Sequence, residues 1–432
     1  MAPSLSFDQA PPISVPVRFF LTAPLFGVAA GLLLALTGAS LFESRWQPVA
    51  LALTHLMTLG FILPAMCGAL LQILPVAAGA NVWRPRLVAW LSHVGLVAGN
   101  LLLVGGFLSG APVLFRLAGP LLGATLALYV AAVAGALIPT PARGPTVIAL
   151  RLAVPALLIS VGLGILLAAE FGWQIGLPLL TLTSVHAAWG LLGWGLVLVA
   201  GVAYLVVPMF QLTPPYRPRF ALWWPVAMVA LCAGWSAIAF LAPGSALEQA
   251  VGLSLAGLAA AFAAATLSLQ HRRRRKAVDS TYLFWRTAMA ALIGAALLGG
   301  IRVMLDPGEI AARIEFFLGI LMIGGVFTAL INGVLYKVLP FISWLHLQRV
   351  FPAPPGMNQM IPERMMRGQF RLYLGALAML VAAALVPALA LPAGLLFAAS
   401  CIWLELNLAL ALRRYGRFRK GEGTPAWAPA RG

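Results

Sequence analysis

The sequence predicts an all-α integral membrane protein, a single domain over residues 1–432 with twelve transmembrane helices. First, 62% of the residues are hydrophobic and only 9% are charged, whereas soluble domains carry roughly 25% charged residues. Second, the chain divides into twelve apolar runs, each able to cross about 30 Å of hydrocarbon. Third, a motif recurs in three of these runs. It predicts three parallel four-helix repeats with pseudo-threefold symmetry about the membrane normal.

The twelve runs are defined by hydropathy and length. The first, from Phe19 to Leu41, is longer than the roughly 7–15 residues of a signal-peptide core, so we expect it to be a retained helix. The second, sixth and tenth reach about 30 residues, and helices of that length must tilt or project beyond the hydrocarbon. The predicted spans lie near 18–41, 48–77, 86–108, 113–138, 147–169, 177–210, 221–242, 248–270, 281–303, 314–345, 370–389 and 391–412.

Basic residues alternate between the loops and predict the orientation. They are concentrated in every second loop, including HRRRRK (271–276), and in the tail that we place at 413–432. Because Lys and Arg favour the cytoplasmic side, we expect both termini to be cytoplasmic, in a bacterial inner (plasma) membrane. The net charge of +17 then reflects topology and attraction to anionic lipid. The lipid bilayer is the predicted partner, and a nucleic acid is not.

Three long runs end in one motif: GALLQILP (68–75), GVAYLVVP (201–208) and GVLYKVLP (333–340). The prolines are evenly spaced (208 − 75 = 133 and 340 − 208 = 132). Four spans per period return the chain to the same side, so the copies are parallel. The predicted units are approximately 86–220, 221–345, and 370–412 together with 18–77. The alternative is that Gly and Pro merely recur at the ends of spanning helices.

Two histidines occupy similar depths in repeat-related runs. His55 lies 20 residues before Pro75, and His186 lies 22 residues before Pro208, which puts both roughly 30 Å from their prolines. A neutral imidazole ligates metals and haem iron. The alternative is a hydrogen bond to a neighbouring carbonyl or hydroxyl, for which Thr54, Thr183 and Ser184 are candidates.

The two-residue offset between these histidines rotates one ring by roughly 200° relative to the other. His55 and His186 therefore either face each other across one pocket or turn into two separate pockets, and the sequence leaves both open. We expect a structural role for His93, a solvated His271 and an interfacial His346. Cys401 and Glu405 lie one turn apart and could hold a soft metal or relay a proton, or Glu405 could be a protonated, hydrogen-bonded side chain.

The segments THLMTLGFILPAMCGALLQILPVAAG (54–79) and HAAWGLLGWGLVLVAGVAYLVVP (186–208) resemble the second and sixth helices of subunit I of the haem–copper oxidase superfamily. The likeness covers essentially the whole chain and implies the twelve-helix ring. It also implies that His55 is a haem ligand and that His186 stands at a copper-ligand position. The cofactors implied are haem b and, at His186 or His55, copper.

The departures from that family are equally informative. Residues 220–242 and 316–340 contain no histidine, and Gly190 stands where the family has a tyrosine. The usual oxygen- or nitric-oxide-reducing centre cannot be built, so we do not expect a proton-pumping terminal oxidase. The opening SVPVRFFLTAPLFGVAAG (14–31) resembles NnrS-type proteins, which are associated with haem, copper and nitric-oxide stress, although THLMTLGF lacks their second histidine and Glu.

The leading prediction is a haem-binding membrane protein in redox sensing, nitric-oxide-stress response or electron transfer, with no enzyme activity expected. His55 and His186 would supply axial or metal ligands, and the second axial position of the haem would be empty or filled by water or by a methionine such as Met57 or Met66. One alternative is a copper or haem transporter or cofactor-handling factor. Another is a haemless structural partner of a respiratory or redox membrane complex.

Overall fold

A computed structural model describes residues 7–274, 277–351 and 354–421, and this part of the chain is helical throughout, without a strand. Twelve of its helices are long and apolar enough to cross a membrane, which confirms the predicted number of spans. They are α1 Ser14–Glu43, α2 Pro48–Ala78, α3 Pro85–Ser109, α4 Pro112–Leu137, α5 Pro145–Trp173, α6 Leu179–Gln211, α7 Pro218–Leu241, α8 Ala246–His271, α9 Ser280–Val303, α10 Glu309–Gln348, α11 Glu363–Leu385 and α12 Pro387–Arg419.

Most helices extend beyond the apolar runs, because backbone hydrogen bonds continue where polar side chains meet water. Half of them begin at a proline, whose fixed φ and missing N–H suit the first helical turn. Helix α12 continues to Arg419, so the first residues of the predicted basic tail are helical. The rest of that tail, 422–432, and residues 275–276 of the basic loop lie outside the described residues.

Three helices, α2, α6 and α10, carry the repeated motif and are called the inner helices; α2 and α6 have the largest buried share of the twelve spans. Helix α2 packs on α1 and α3, α6 on α5 and α7, and α10 on α9, α11 and α12. Around them α1 packs on α12, α3 on α4, α4 on α5, α7 on α8, α8 on α9 and α11 on α12. The closest crossing joins α1 to α12, where a Cβ on Gly31 would lie 2.7 Å from the carbonyl oxygen of Gly394. Such close approach of two backbones requires glycine.

Each inner helix contains a π-helical segment that the sequence analysis did not predict. These segments are Leu56–Ile62 in α2, Trp189–Leu196 in α6 and Ile320–Phe327 in α10. They begin 19, 19 and 20 residues before Pro75, Pro208 and Pro340 respectively. Inserted π turns are rare in proteins overall, but many of those that occur lie at functional sites. These three segments are therefore candidate positions for a functional site.

Candidate functional site

A large cavity lies between α2, α3, α4, α5 and α6, with the π-helical segment of α10 at its edge. Its volume, counted as the space open to the centres of water molecules, is about 260 Å³. One water needs only roughly 10–15 Å³ in this measure. The walls are mostly aliphatic and aromatic, and both candidate histidines, His55 and His186, line them. A mostly apolar cavity with a few convergent polar groups is the usual form of a ligand site.

His55 is the residue immediately before the π-helical segment of α2. Its Nδ1 lies 2.8 Å from the carbonyl oxygen of Leu51, and its ring stacks on Phe107 of α3 with centroids 5.2 Å apart. Because a carbonyl only accepts, Nδ1 carries the hydrogen, and in the neutral imidazole Nε2 then holds the lone pair. No described residue donates a hydrogen bond to this Nε2.

His186 reaches the same state through a different helix. Its Nδ1 donates to the carbonyl oxygen of Ser160 on α5 at 3.0 Å, so its Nε2 also holds the lone pair. No hydrogen bond to that nitrogen comes from the described part of the chain. Gly164 makes room for the ring, since a Cβ there would lie 3.1 Å from Cε1 of His186.

The structure therefore decides between the two arrangements that the sequence left open. His55 and His186 line one cavity. The sequence also allowed these histidines to bond to a neighbouring helix instead of a ligand. His186 does so with Nδ1, but its partner is the Ser160 carbonyl and not the hydroxyl of Thr183 or Ser184.

Asn100 of α3 fixes the backbone that carries His55. It is fully buried, and its amide, oriented to satisfy both neighbours, donates to the carbonyl oxygen of His55 at 3.2 Å and accepts from Gly60 N–H at 3.3 Å. The amide thus bridges the first π turn, whose backbone groups are displaced from α-helical partners. Together with Phe107, two turns further along α3, it holds both the backbone and the ring of His55.

The two threonine hydroxyls on the α2 wall bond to their own helix. Thr54 donates to the carbonyl oxygen of Ala50 and Thr58 to that of Thr54, each at 2.8 Å. Since both hydroxyls are committed to their own helix, the lone pairs of His55 and His186 are the strongest acceptors that face the cavity. Their arrangement suits a Lewis-acidic metal better than an apolar ligand alone.

Positive charge stands beside the cavity at the α1–α2 loop. Trp46 lines the cavity, and the Arg45 guanidinium lies 4.6 Å from its ring centroid. Arg45 and Arg302 both pair with Glu315, at 3.0 and 2.8 Å, so two cations share one carboxylate. Burial lowers the pKa of Arg45 while Glu315 raises it. This partly desolvated, uncompensated charge favours a ligand with acidic groups at this end.

The other histidines lie away from the cavity. His93 Nε2 is 2.7 Å from the hydroxyl oxygen of Thr22 and meets the edge of Phe19. His346 Nδ1 donates to the carbonyl oxygen of Ile342 at 2.8 Å, and His271 is exposed at the end of α8. None of these three side chains lines the cavity.

Cys401 and Glu405 do not form a metal centre with other residues. The Cys401 thiol is buried against Gly27 of α1, and one carboxyl oxygen of Glu405 is buried without a hydrogen-bond partner among the described residues. Within the same part of the chain, no group of three or more His, Cys, Asp and Glu side chains could share a metal ion. All three cysteines, Cys67, Cys232 and Cys401, are free and buried.

Sequence reasoning missed Asn100, Phe107, Ser160 and Gly164. A signal existed for Asn100, because it is an amide inside the apolar run AGNLLLVGG (98–106), and buried amides require partners. Ser160 acts through its backbone carbonyl and Gly164 through the absence of a side chain. Neither role leaves a signature in a single sequence.

Comparisons with known proteins assign no family: no protein-family model matches this chain, and no curated protein matches it at a significant level. The likeness to oxidase subunit I therefore remains a prediction from the segments quoted above.

Proposed function

We propose that this chain is a haem-binding membrane protein in which His55 and His186 supply the axial ligands of one haem b. The observation that carries the proposal is the pair of neutral imidazoles with Nε2 lone pairs on one cavity. Its role would be redox sensing, nitric-oxide-stress response or electron transfer, without oxygen-reductase activity. A redox or respiratory membrane protein would be its partner.

The coordination chemistry of haem fits the residues present. Haem brings four nitrogen ligands of its own, so its iron takes only the axial ligands from the protein. A ligating histidine usually donates its other ring N–H to a carbonyl or carboxylate, which fixes the tautomer and orients the ring. His55 does so to Leu51 and His186 to Ser160. Both imidazoles are thereby prepared for ligation before any ligand arrives.

The size and polarity of the cavity also fit. The volume of about 260 Å³ counts only positions of water centres, and a ligand that touches the walls fills more space than this. Apolar walls suit the macrocycle, while its two carboxylates need positive or polar partners. Arg45, beside Trp46 at the edge of the cavity, is the group that would receive a carboxylate.

Bound haem would supply one-electron redox chemistry, and the protein determines how that chemistry is used. With His55 and His186 in both axial positions, no open iron position would remain for oxygen. Met66 also lines the cavity, but it lies eleven residues along α2 from His55, or about 16 Å. It therefore cannot bind the same ion as His55, and Met57 is buried in the helix core.

We also propose the three-unit architecture, with both termini cytoplasmic in a bacterial inner membrane. The repeating positions of the π-helical segments support it, because each begins 19 or 20 residues before its proline. The contacts of α2 with α1 and α3, of α6 with α5 and α7, and of α10 with α9 and α11 agree with a pseudo-threefold axis along the membrane normal. The distribution of Lys and Arg supports the orientation.

Copper handling is the second candidate, favoured by the same two imidazoles, which are good copper ligands. In that case the protein would bind copper at His55 and His186 and carry no haem. The haemless structural partner is the third, and it predicts neither cofactor. Optical spectra and metal content separate all three.

The test uses full-length protein purified from cells supplied with haem, in oxidised and dithionite-reduced forms. The proposal predicts a Soret band, split α/β bands on reduction, and about one iron per chain. His55→Ala should abolish the reduced spectrum. His93→Gln, which keeps a donor or acceptor for Thr22, is the matched control and should leave the spectrum unchanged.

A spectrum without haem bands from haem-replete cells would overturn the proposal, as would full haem retention in both His55→Ala and His186→Ala. Copper bound at about one per chain and lost in both variants would favour the second candidate. Protein free of both metals would favour the structural partner.

A further inference from the structure

A second cavity lies among the three inner helices. It is bounded by residues of α1, α2, α6, α9 and α10, including Met66, Leu70, Val199, Trp285 and Val334. Its volume, again counted at water centres, is about 60 Å³. This is roughly four to six times the volume that one water needs. The space suits a molecule of a few heavy atoms and is far too small for a macrocycle.

The lining presents no polar atom to the interior of this cavity. A buried water needs two to four hydrogen-bond partners, and cavities lined by aliphatic and aromatic groups stay dry and bind xenon or small apolar molecules. Charged and strongly polar ligands are disfavoured for the same reason. The chemistry of the walls therefore selects a small, uncharged, apolar occupant.

Met66 connects this space with the histidine cavity, since its side chain lines both. Methionine is unbranched, with three rotatable bonds, and adapts its shape readily. A change of its rotamer would alter the wall between the two cavities without moving a helix. Of the residues around the apolar cavity, Met66 is thus the one suited to separate it from the ligand site.

We propose that the central cavity is a binding site for an uncharged diatomic gas, taken up from the bilayer and separated from the histidine cavity by the Met66 side chain. Such gases are apolar, fit the available volume and need no hydrogen bonds. The proposal does not depend on haem, because it rests on the shape and polarity of the space among α2, α6 and α10.

Xenon is the probe, because it is apolar, of suitable size and visible by anomalous scattering. Crystals of the full chain under xenon pressure should show xenon beside Val199 and Val334. Val199→Phe should remove that density by filling the space. Val113→Phe is the matched control: Val113 is 54% exposed, so the same change adds its ring outside the cavity. Xenon should remain bound in that variant.

If Val199→Phe does not fold, Ala69→Leu, a smaller addition on the same cavity wall, replaces it. Met66→Ala should extend the xenon density toward the histidine cavity. The proposal is overturned if xenon is absent from the wild-type cavity, if ordered waters fill it, or if the filling variants keep their xenon. Density that stays confined in Met66→Ala would overturn the role of Met66.

Discussion

Two regions of the molecule share a π-helical segment but differ in packing. One lies between α2 and α6, and the other lies between α10, α11 and α12. All three inner helices carry a π-helical segment. Beside α10, Tyr373 of α11 donates to the carbonyl oxygen of Gly324 at 2.7 Å, and Thr328 donates to that of Ile323 at 2.8 Å. Beside α2 and α6, a large cavity with two histidines takes the place of such packing.

The residue before the π-helical segment explains part of the contrast between α2 and α10. His55 precedes the segment of α2, whereas Gly319 precedes that of α10. Near α10, buried polar side chains also pair with one another: Asn407 donates to Tyr336 at 2.8 Å and Gln369 to Ser400 at 3.0 Å. A π turn is thus present in both regions, and the side chains around it determine whether a cavity or a closed, hydrogen-bonded core lies beside it.

The largest expected effect comes from filling the space beside His186. In Gly164→Val, the new Cβ would lie 3.1 Å from Cε1 of His186 and displace the ring. Overpacking typically costs about 1–3 kcal/mol, so haem affinity should fall roughly 5- to 150-fold. Haem retention during dialysis against apomyoglobin measures this loss.

Gly162→Val is the control for that prediction, because it lies on the same helix and nothing lies within 4 Å of the position of its Cβ. Both variants carry the same helix-propensity cost, which therefore cancels in the comparison. Equal haem loss in the two variants would show that displacing the His186 ring does not affect haem binding.

The second-largest effect is expected when the two hydrogen bonds of the Asn100 amide to the backbone of His55 and Gly60 are removed. Asn100→Leu leaves the carbonyl of His55 and the N–H of Gly60 without the amide, at a cost of about 1–3 kcal/mol for buried groups. We expect a lower free energy of unfolding and a shifted midpoint potential of the haem. Denaturant unfolding and redox titration measure them.

Asn332→Leu on α10 provides the matched comparison. Asn332 is also buried, and its Oδ1 has no hydrogen-bond partner among the described residues. Its replacement should therefore lower the free energy of unfolding by less than Asn100→Leu does and leave the midpoint potential of the haem unchanged. A potential that moves equally in both variants would show that Asn100 does not act through His55.

The smallest effect is expected on the α10 side. Tyr373→Phe removes the bond to Gly324 while keeping the ring, and one hydrogen bond contributes about 0.5–1.5 kcal/mol. Thermal unfolding should detect this decrease in stability, with the haem spectrum unchanged. A changed spectrum would mean that α10 contributes to the site as α2 and α6 do.

The twelve spans could be predicted because hydropathy and length alone identify helices that cross a bilayer. The sequence also identified His55 and His186, because ionisable residues inside such helices are few. Their common cavity depends on the rotation of two helices about their axes, which a two-residue offset leaves ambiguous. The π turns and the bonds from Asn100 and to Ser160 arise from tertiary contacts, and these have no local pattern.

The most direct test of the central claim is the electron paramagnetic resonance spectrum of the ferric protein, wild type against His186→Ala. Two histidine ligands should give the wild type a low-spin, six-coordinate signal. In His186→Ala we expect a high-spin, five-coordinate signal that added imidazole returns to low spin. Identical signals in the two proteins, or no haem signal in either, would contradict the claim that His55 and His186 hold one haem between them.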